Sequence, residues 1–202
     1  VSSPTGRPER RLTGLAAVIP AYNEAERIET TVTAALSIPA VRHVVVVDDG
    51  STDTTLRKAG NAGAVAVRLP HNRGKGAALE RGVARVARFA DAEDLALLFV
   101  DADLGLSAAA LEPLAAPVLS GEADMTIAVL PPQETPGGGH GFVVRLARKG
   151  IHDATGWSAT QPLSGMRCLT PEAFAAARPL AHGWGVETAL TIDVLTAGFT
   201  VH

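Results

Sequence analysis

The sequence predicts an α/β protein with a mostly parallel central sheet flanked by helices. Short aliphatic runs alternate with stretches whose apolar residues recur at helical spacing, the pattern of βαβ units. Three of the aliphatic runs end abruptly in polar clusters: Pro20-Ala21-Tyr22-Asn23-Glu24, Asp48-Asp49-Gly50 and Asp101-Ala102-Asp103. In open parallel sheets ligands sit beyond the carboxyl ends of the strands, so three such clusters on one rim are a functional signal as well as a structural one.

The elements follow in order. Residues 1–13 are polar, with two prolines and three arginines, and read as a flexible tail. Residues 15–19 are an apolar strand stopped by Pro20. Residues 24–36 place Ile28, Val32, Ala35 and Leu36 on one helical side. Val44-Val45-Val46-Val47 is a β-branched strand running into a turn. A short helix over 53–62 ends at Gly63, and a third strand spans 64–69. A long helix covers 74–90, and a strand over 95–100 ends at Asp101. A helix over 107–119 has Ser107 at its cap position, and a strand covers 124–129. Residues 131–141 hold three prolines and four glycines and read as a flexible loop. A helix over 142–153, a loop through 164 and a last helix over 186–197 complete the chain. The whole reads as one domain over 14–202, divided into a first half (14–103) and a second half (104–202).

Composition narrows the function. The 202 residues are 47% hydrophobic and 19% charged, a globular balance. A net charge of −3 and 4% aromatic residues oppose nucleic-acid binding. The single cysteine, Cys168, excludes an internal disulfide and fits a reducing compartment. No apolar run is long enough to span a bilayer. The chain opens on Val1 and stops at His202 after an apolar run, so we expect it to be trimmed at both ends.

The motifs carry specific chemistry. Asp101 and Asp103, at i and i+2 where a strand breaks, can turn two carboxylates toward one hard cation such as Mg²⁺ or Mn²⁺, although acidic pairs in loops are also common without a metal. Asp48 and Asp49 cannot both point inward; one is expected to face the cleft, where it can accept from a base or ribose, and the other to support the turn. Asn72-Arg73-Gly74-Lys75-Gly76 opens a helix with two cations and backbone that an anion can approach, as a diphosphate contact requires. A Gly-x-Gly-x-x-Gly fingerprint after the first strand, a P-loop, a zinc-spaced cluster and a Gly-x-Ser-x-Gly elbow are all missing.

Taken in order, Val18-Ile19-Pro20-Ala21-Tyr22-Asn23-Glu24, Val47-Asp48-Asp49-Gly50-Ser51-Thr52-Asp53, Asn72-Arg73-Gly74-Lys75-Gly76-Ala77-Ala78 and Asp101-Ala102-Asp103 resemble family 2-type glycosyltransferases of the GT-A nucleotide-diphospho-sugar transferase fold. Each piece is weak, but the four in this order are specific. The resemblance implies a nucleotide-sugar donor, Mg²⁺ or Mn²⁺ as cofactor, and hexosyl transfer. In the second half, Gly137-Gly138-Gly139, Val144-Arg145-Leu146-Ala147-Arg148, Gln161-Pro162-Leu163-Ser164-Gly165 and Gly183-Trp184-Gly185-Val186-Glu187 resemble glucosyl-3-phosphoglycerate synthases, which are retaining and use uridine-diphosphate glucose. The chain departs from them at His140-Gly141-Phe142-Val143, where an arginine and a threonine are expected, and at Met166-Arg167, where an acid is expected. The first half is equally similar to polyprenyl- and dolichyl-phosphate sugar transferases, which act on a membrane acceptor.

The resemblance and the motifs together assign the site. Glu187 and Asp103 are the catalytic candidates, and Asp101 and Asp103 the metal ligands. The donor nucleotide is assigned to Pro20, Ala21, Tyr22, Glu24, Asp48, Asp49, Arg73, Lys75, Asp101 and Ala102. The acceptor is assigned to Gly139, His140, Arg145, Ser164, Gly165 and Trp184. Glu187 is a base if the reaction inverts and a holder of sugar hydroxyls if it retains; a helix-start acid without further role is the plain alternative. On the helix from 142, Phe142, Leu146 and Ala147 form one side and Arg145, Arg148 and Lys149 another, either a solvated face or an anion site. The expected partners are the nucleotide-sugar donor and a phosphorylated small-molecule or lipid-phosphate acceptor, with no nucleic acid and with a homodimer compatible. The expected location is the cytoplasm, including the inner face of its membrane.

Overall fold

The computed structural model describes residues 12–129, 140–181 and 183–202. Six strands form one sheet in the order β3-β2-β1-β4-β6-β5. They are β1 (Gly14–Ala21), β2 (Val41–Asp48), β3 (Val65–Arg68), β4 (Leu95–Phe99), β5 (Met125–Ile127) and β6 (Arg167–Leu169). β1 pairs in parallel with both β2 and β4, and β2 with β3. Among the described residues β6 is antiparallel to both of its neighbours, β4 and β5. The chain steps from β1 to β2 and β3 on one side, then crosses back to lay β4 on the other side of β1. That reversal is a topological switch point, and it opens a crevice at the carboxyl ends of β1 and β4.

Both faces of the sheet are covered. The alternation of side chains along β1 sends Leu15, Ala17 and Ile19 into one apolar layer and Ala16 and Val18 into the other. β4 divides the same way, with Ala96 and Leu98 opposite Leu95, Leu97 and Phe99. This double burial is why the strands read as continuous aliphatic runs. The first layer is closed by α1 (Ile28–Leu36), α2 (Thr55–Asn61) and α4 (Ala115–Leu119). The second is closed by α3 (Lys75–Val86), α6 (Pro171–Ala176) and α7 (Val186–Thr196). α5 (His140–Thr155) packs beside α7.

Several boundaries differ from the sequence expectation for identifiable reasons. The helix expected from residue 24 starts at Ile28, because Asn23 takes a left-handed φ of 55° and the amides of Glu24 and Ala25 donate to Thr55 Oγ1 and Asp53 Oδ2 instead. The helix expected over 107–119 is a 3₁₀ segment over Gly105–Leu114 followed by α4; Pro113, which has no amide to donate, sits inside it. Its flanking residue is Leu104 without a side-chain cap, so Ser107 is not the cap. β6 and α6 lie where no element was expected. β6 has three residues and exists through its antiparallel partners, whereas α6 carries a local signature: Thr170 Oγ1 accepts from the Ala173 amide and Pro171 opens the helix. Of the expected tail, Leu12 is buried and the Thr13 amide donates to Asp94 O at 2.8 Å; residues 1–11 lie outside the described residues, as does most of the expected 131–141 loop.

Candidate active site

The rim is built from loops that hydrogen-bond one another through side chains. After β1, the Asn23 amide donates to Ser51 Oγ, and Asn23 Oδ1 accepts from the Thr52 amide, both at 2.9 Å. Asp53 accepts from Ala25 on one oxygen and from the Thr55 amide and hydroxyl on the other; burial opposes ionisation, but these bonds together outweigh it and hold its carboxyl below the ordinary range. The loop after β1 is thereby locked to the loop after β2. Gly50 has φ 78°, and a Cβ there would stand 2.7 Å from the His71 carbonyl carbon. Only glycine lets the 71–72 backbone lie against this turn.

Asp48 and Asp49 are both buried, so neither faces the crevice freely. Asp49 takes the amides of Arg73 and Gly74, one on each oxygen at 2.8 Å, and so fixes the backbone ahead of α3. Asp48 Oδ1 accepts from the Ser51 amide at 2.9 Å. Its Oδ2 has no hydrogen bond, although Arg68 Nε stands 3.8 Å away, too far to donate well but close enough to balance charge. The expected division of labour therefore resolves differently. Asp49 is the brace of the phosphate-type loop, and Asp48 is the acid with an unused acceptor.

Lys75 is the centre of the site. It is the first residue of α3, and its ammonium lies 2.7 Å from Asp101 Oδ1 and 2.8 Å from Glu187 Oε1. Burial pulls the Lys75 pKa down, but the two carboxylates more than reverse this and hold it above its ordinary value. Residues separated by more than a hundred positions thus form a carboxylate–ammonium–carboxylate chain at the switch point. Asp103, two residues after Asp101, is half-exposed and 3.6 Å from Arg27. Partial burial and the Asp103 carboxylate raise the Glu24 pKa, so negative charge accumulates on this side of the crevice. The Asp101–Asp103 loop is held from beneath by Thr31 of α1, whose hydroxyl donates to Ala102 O at 2.8 Å and accepts from the Gly105 amide at 2.9 Å.

Gly165 closes the arrangement. A Cβ at this position would stand 2.3 Å from Lys75 Nζ and 2.7 and 2.8 Å from the two Asp101 carboxylate oxygens. The preceding Ser164 is buried, and its hydroxyl has no hydrogen-bond partner. Behind this turn lies Arg167, 1% exposed. Its guanidinium donates to Ser164 O at 3.0 Å, Thr191 Oγ1 at 2.8 Å and Pro162 O at 3.4 Å. Burial pushes its pKa down to about 10, against the restoring charges of Glu187 and Asp101. Arg167 therefore ties the 162–165 turn to α7 and places a positive field behind both carboxylates.

Of the assigned donor residues, Pro20 and Ala21 end β1, Asp48 ends β2, Lys75 opens α3, and Glu24, Asp49, Asp101 and Ala102 lie on the rim loops. Tyr22 and Arg73 are on those loops with exposed side chains. Of the assigned acceptor residues, Gly165 abuts the Lys75–Asp101 pair, Ser164 precedes it in the same turn, and Arg145 is exposed on α5. Gly139 lies outside the described residues, as do the side chains of His140 and Trp184. Phe142 and Leu146 do not face the core with Ala147 but point to solvent. Two supporting residues escaped the sequence reading. Thr31 gave no local signal, whereas Arg167 did, as an arginine inside the apolar run Met166-Arg167-Cys168-Leu169.

Among the described residues no group of three or more His, Cys, Asp or Glu side chains converges as a metal cage. The candidate carboxylates are Asp101, which holds Lys75 at 2.7 Å, and Asp103, which lies 3.6 Å from Arg27. Two carboxylates with remaining positions left for water and phosphate oxygens suit Mg²⁺ or Mn²⁺.

A buried-both-faces sheet with a switch point, an Asp-x-Asp after β4 and a braced basic loop opening α3 define a GT-A-type nucleotide-sugar fold. The chain belongs to glycosyl transferase family 2, whose model matches residues 16–149. Among solved structures it is similar to glucosyl-3-phosphoglycerate synthase from Mycobacterium tuberculosis in complex with phosphoglyceric acid, with a TM-score of 0.74 and 30% identity over 92% of this chain and 66% of that one. The same enzyme with Mg²⁺ and uridine diphosphate gives a TM-score of 0.75 and 29% identity over 94% of this chain and 68% of that one. With Mn²⁺, uridine-diphosphate-glucose and phosphoglyceric acid it gives 0.71 and 29%, over 90% and 68%. The chain therefore spans about two thirds of these relatives' length. Among curated proteins no sequence matches it.

Proposed function

We propose that this protein is a metal-dependent hexosyltransferase that moves a sugar from a nucleoside-diphosphate donor, uridine favoured, to a phosphorylated acceptor. The observation that carries the proposal is the Asp101–Lys75–Glu187 chain at the switch point, backed by Gly165. Similarity to an enzyme seen with uridine-diphosphate-glucose and Mn²⁺ supports the donor and the cofactor.

Asp101 and Asp103 would hold the cation. Its chemistry would be to offset the charge of the departing diphosphate. The chain's own residues do the rest. Asp49 presents the Arg73 and Gly74 backbone at the start of α3, with Arg73 and Lys75 beside it as cations for the same diphosphate. We assign Asp48 to the base or ribose on its unpartnered Oδ2, which is buried beneath the rim and would have to be uncovered for that contact. Lys75 holds the Glu187 side chain in place; when the ammonium turns to phosphate, Glu187 is released to hold a sugar hydroxyl or take a proton from the acceptor. A non-catalytic nucleotide-sugar-binding domain would need none of this coupling between donor and acceptor halves.

A lipid-phosphate acceptor is a second reading, favoured by the exposed Phe142, Val143 and Leu146 beside Arg145 on α5, in the acceptor half. No helix among the described residues is long and apolar enough to cross a membrane. We propose a cytoplasmic location, including the inner membrane face, on the single free cysteine Cys168. The test is a donor screen with Mn²⁺ or Mg²⁺ over phosphorylated small acceptors and polyprenyl phosphate. Metal-dependent release of nucleoside diphosphate only when acceptor is present supports transfer. No turnover of any donor, with intact nucleotide binding, would leave the binding domain as the better description.

A further inference from the structure

We propose that Arg167, acting through Thr191, is a positioning residue that fixes the separation between Glu187 and the Gly165 turn, the two walls that border Lys75. Its effect on turnover rests on the hexosyltransferase reading. Lys75 meets Glu187 Oε1 at 2.8 Å, and a Cβ on Gly165 would stand 2.3 Å from the same ammonium. The two walls come from separate elements, the 162–165 turn and the first turn of α7. One buried side chain reaches both. Arg167 Nε donates at 3.0 Å to Ser164 O, the carbonyl just ahead of Gly165. Its Nη1 donates to Thr191 Oγ1 at 2.8 Å, and the Thr191 hydroxyl donates in turn to Glu187 O at 2.9 Å. Turn, guanidinium, hydroxyl and Glu187 backbone thus form one continuous hydrogen-bonded path.

The chemistry of this path suits positioning better than stability. A guanidinium that is 1% exposed carries a large desolvation cost, and apolar residues of similar volume in such places are often no less stabilising. Among the described residues its contacts go to uncharged atoms: Ser164 O, Pro162 O, Thr191 Oγ1 and Met125 Sδ. What arginine supplies there is a planar fork whose donors sit at fixed angles, so that the distances among its three oxygen acceptors are fixed as well. Lysine would bring the charge without the fork. Thr191 is fully buried, so the relay to Glu187 is shielded from water. The Ser164 hydroxyl has no partner, so Arg167 grips the turn by its carbonyls and not by that side chain. A shift of this tether would change the gap between Gly165 and Glu187 while leaving the Asp49 brace on the Arg73 and Gly74 amides untouched.

The test compares Arg167→Lys and Thr191→Val with a control, Thr196→Val. Thr196 makes the same bond four residues back along α7, to Ile192 O, at an exposed position. We expect Arg167→Lys and Thr191→Val to lower kcat at least about tenfold, as misplaced reacting groups do, with affinity for nucleoside diphosphate within about twofold of wild type. Thr196→Val should match wild type in both. Amide hydrogen exchange, which needs no substrate, should quicken over 161–166 in the two variants while α6 keeps its wild-type protection. Thr191→Val preserves the shape of threonine and carries the test if Arg167→Lys does not fold. Full kcat in folded Arg167→Lys or Thr191→Val overturns the proposal, as does unchanged exchange over 161–166 in both. An equal loss in Thr196→Val also overturns it, by assigning the effect to any lost bond in α7. A wild type that turns over no donor, with the exchange change present in the variants, refutes the transferase reading and leaves the tether standing.

Discussion

Substituting Gly165→Ala separates the fold from the site more cleanly than any charged replacement. The new methyl would lie 2.3 Å from Lys75 Nζ and 2.7 and 2.8 Å from the Asp101 oxygens, distances no real carbon sustains. The atoms that must yield are the far ends of two flexible side chains, not backbone. Both side chains are about 30% exposed, so water can solvate them once displaced. The stability cost should therefore be small, about 1 kcal/mol or less, the worth of a partly exposed ion pair. The effect on chemistry is of another order. Moving Lys75 and Asp101 by about 1 Å would disturb the proposed cation site and diphosphate contact together, and misplacement on that scale costs about a hundredfold in rate. Turnover with Mn²⁺ and the productive donor, calorimetric affinity for nucleoside diphosphate with Mn²⁺, and thermal denaturation would be measured side by side. We expect turnover to fall about a hundredfold and affinity to weaken, with the midpoint within a few degrees of wild type. Wild-type turnover and affinity in this variant would refute the view that Gly165 is kept small for the Lys75–Asp101 pair.

Other outcomes follow from the same geometry. Asp103→Ala should abolish transfer without unfolding the chain, since its side chain is half-exposed, and excess EDTA should do the same to the wild type; full activity in EDTA would exclude the cation role. Asp49→Ala should weaken nucleoside diphosphate binding by freeing the Arg73 and Gly74 amides, and unchanged affinity by calorimetry would limit Asp49 to the turn. Glu187→Gln should cut turnover at least about a hundredfold with nucleotide affinity nearly intact, and wild-type turnover would reduce Glu187 to a helix-start acid. Burial pushes the Cys168 thiol up from 9.0 to about 12, so the folded state favours the neutral thiol. Stability from this group is complete below the unfolded pKa and is lost as pH rises from about 9 to about 12. Cys168→Ala should flatten that stretch of the unfolding free energy against pH, and equal slopes in both proteins would contradict the burial argument.

The sequence by itself determined the strands and the chemistry at their ends. Parallel strands buried on both faces must be aliphatic throughout, so β1, β2 and β4 announce themselves, and the polar residues that stop them can only lie on the rim. The Asp-x-Asp and the Asn72-to-Gly76 loop were legible for the same reason, as local patterns tied to strand and helix ends. What local pattern could not supply is who meets whom. That Lys75 bridges Asp101 and Glu187 depends on the crossover that lays β4 beside β1 and on the packing of α7 against the second face. The assignment of Asp49 as brace and Asp48 as free acceptor needed the position of the 71–74 backbone. β6 is three residues long and owes its form to β4 and β5, while Arg167 becomes a support only once the 162–165 turn folds over it. The outward turn of Phe142 and Leu146 was likewise hidden, because helical spacing gives the angle between side chains but not which side faces the core. Tertiary packing sets that choice, and on α5 it selects Ala147 and Ile151.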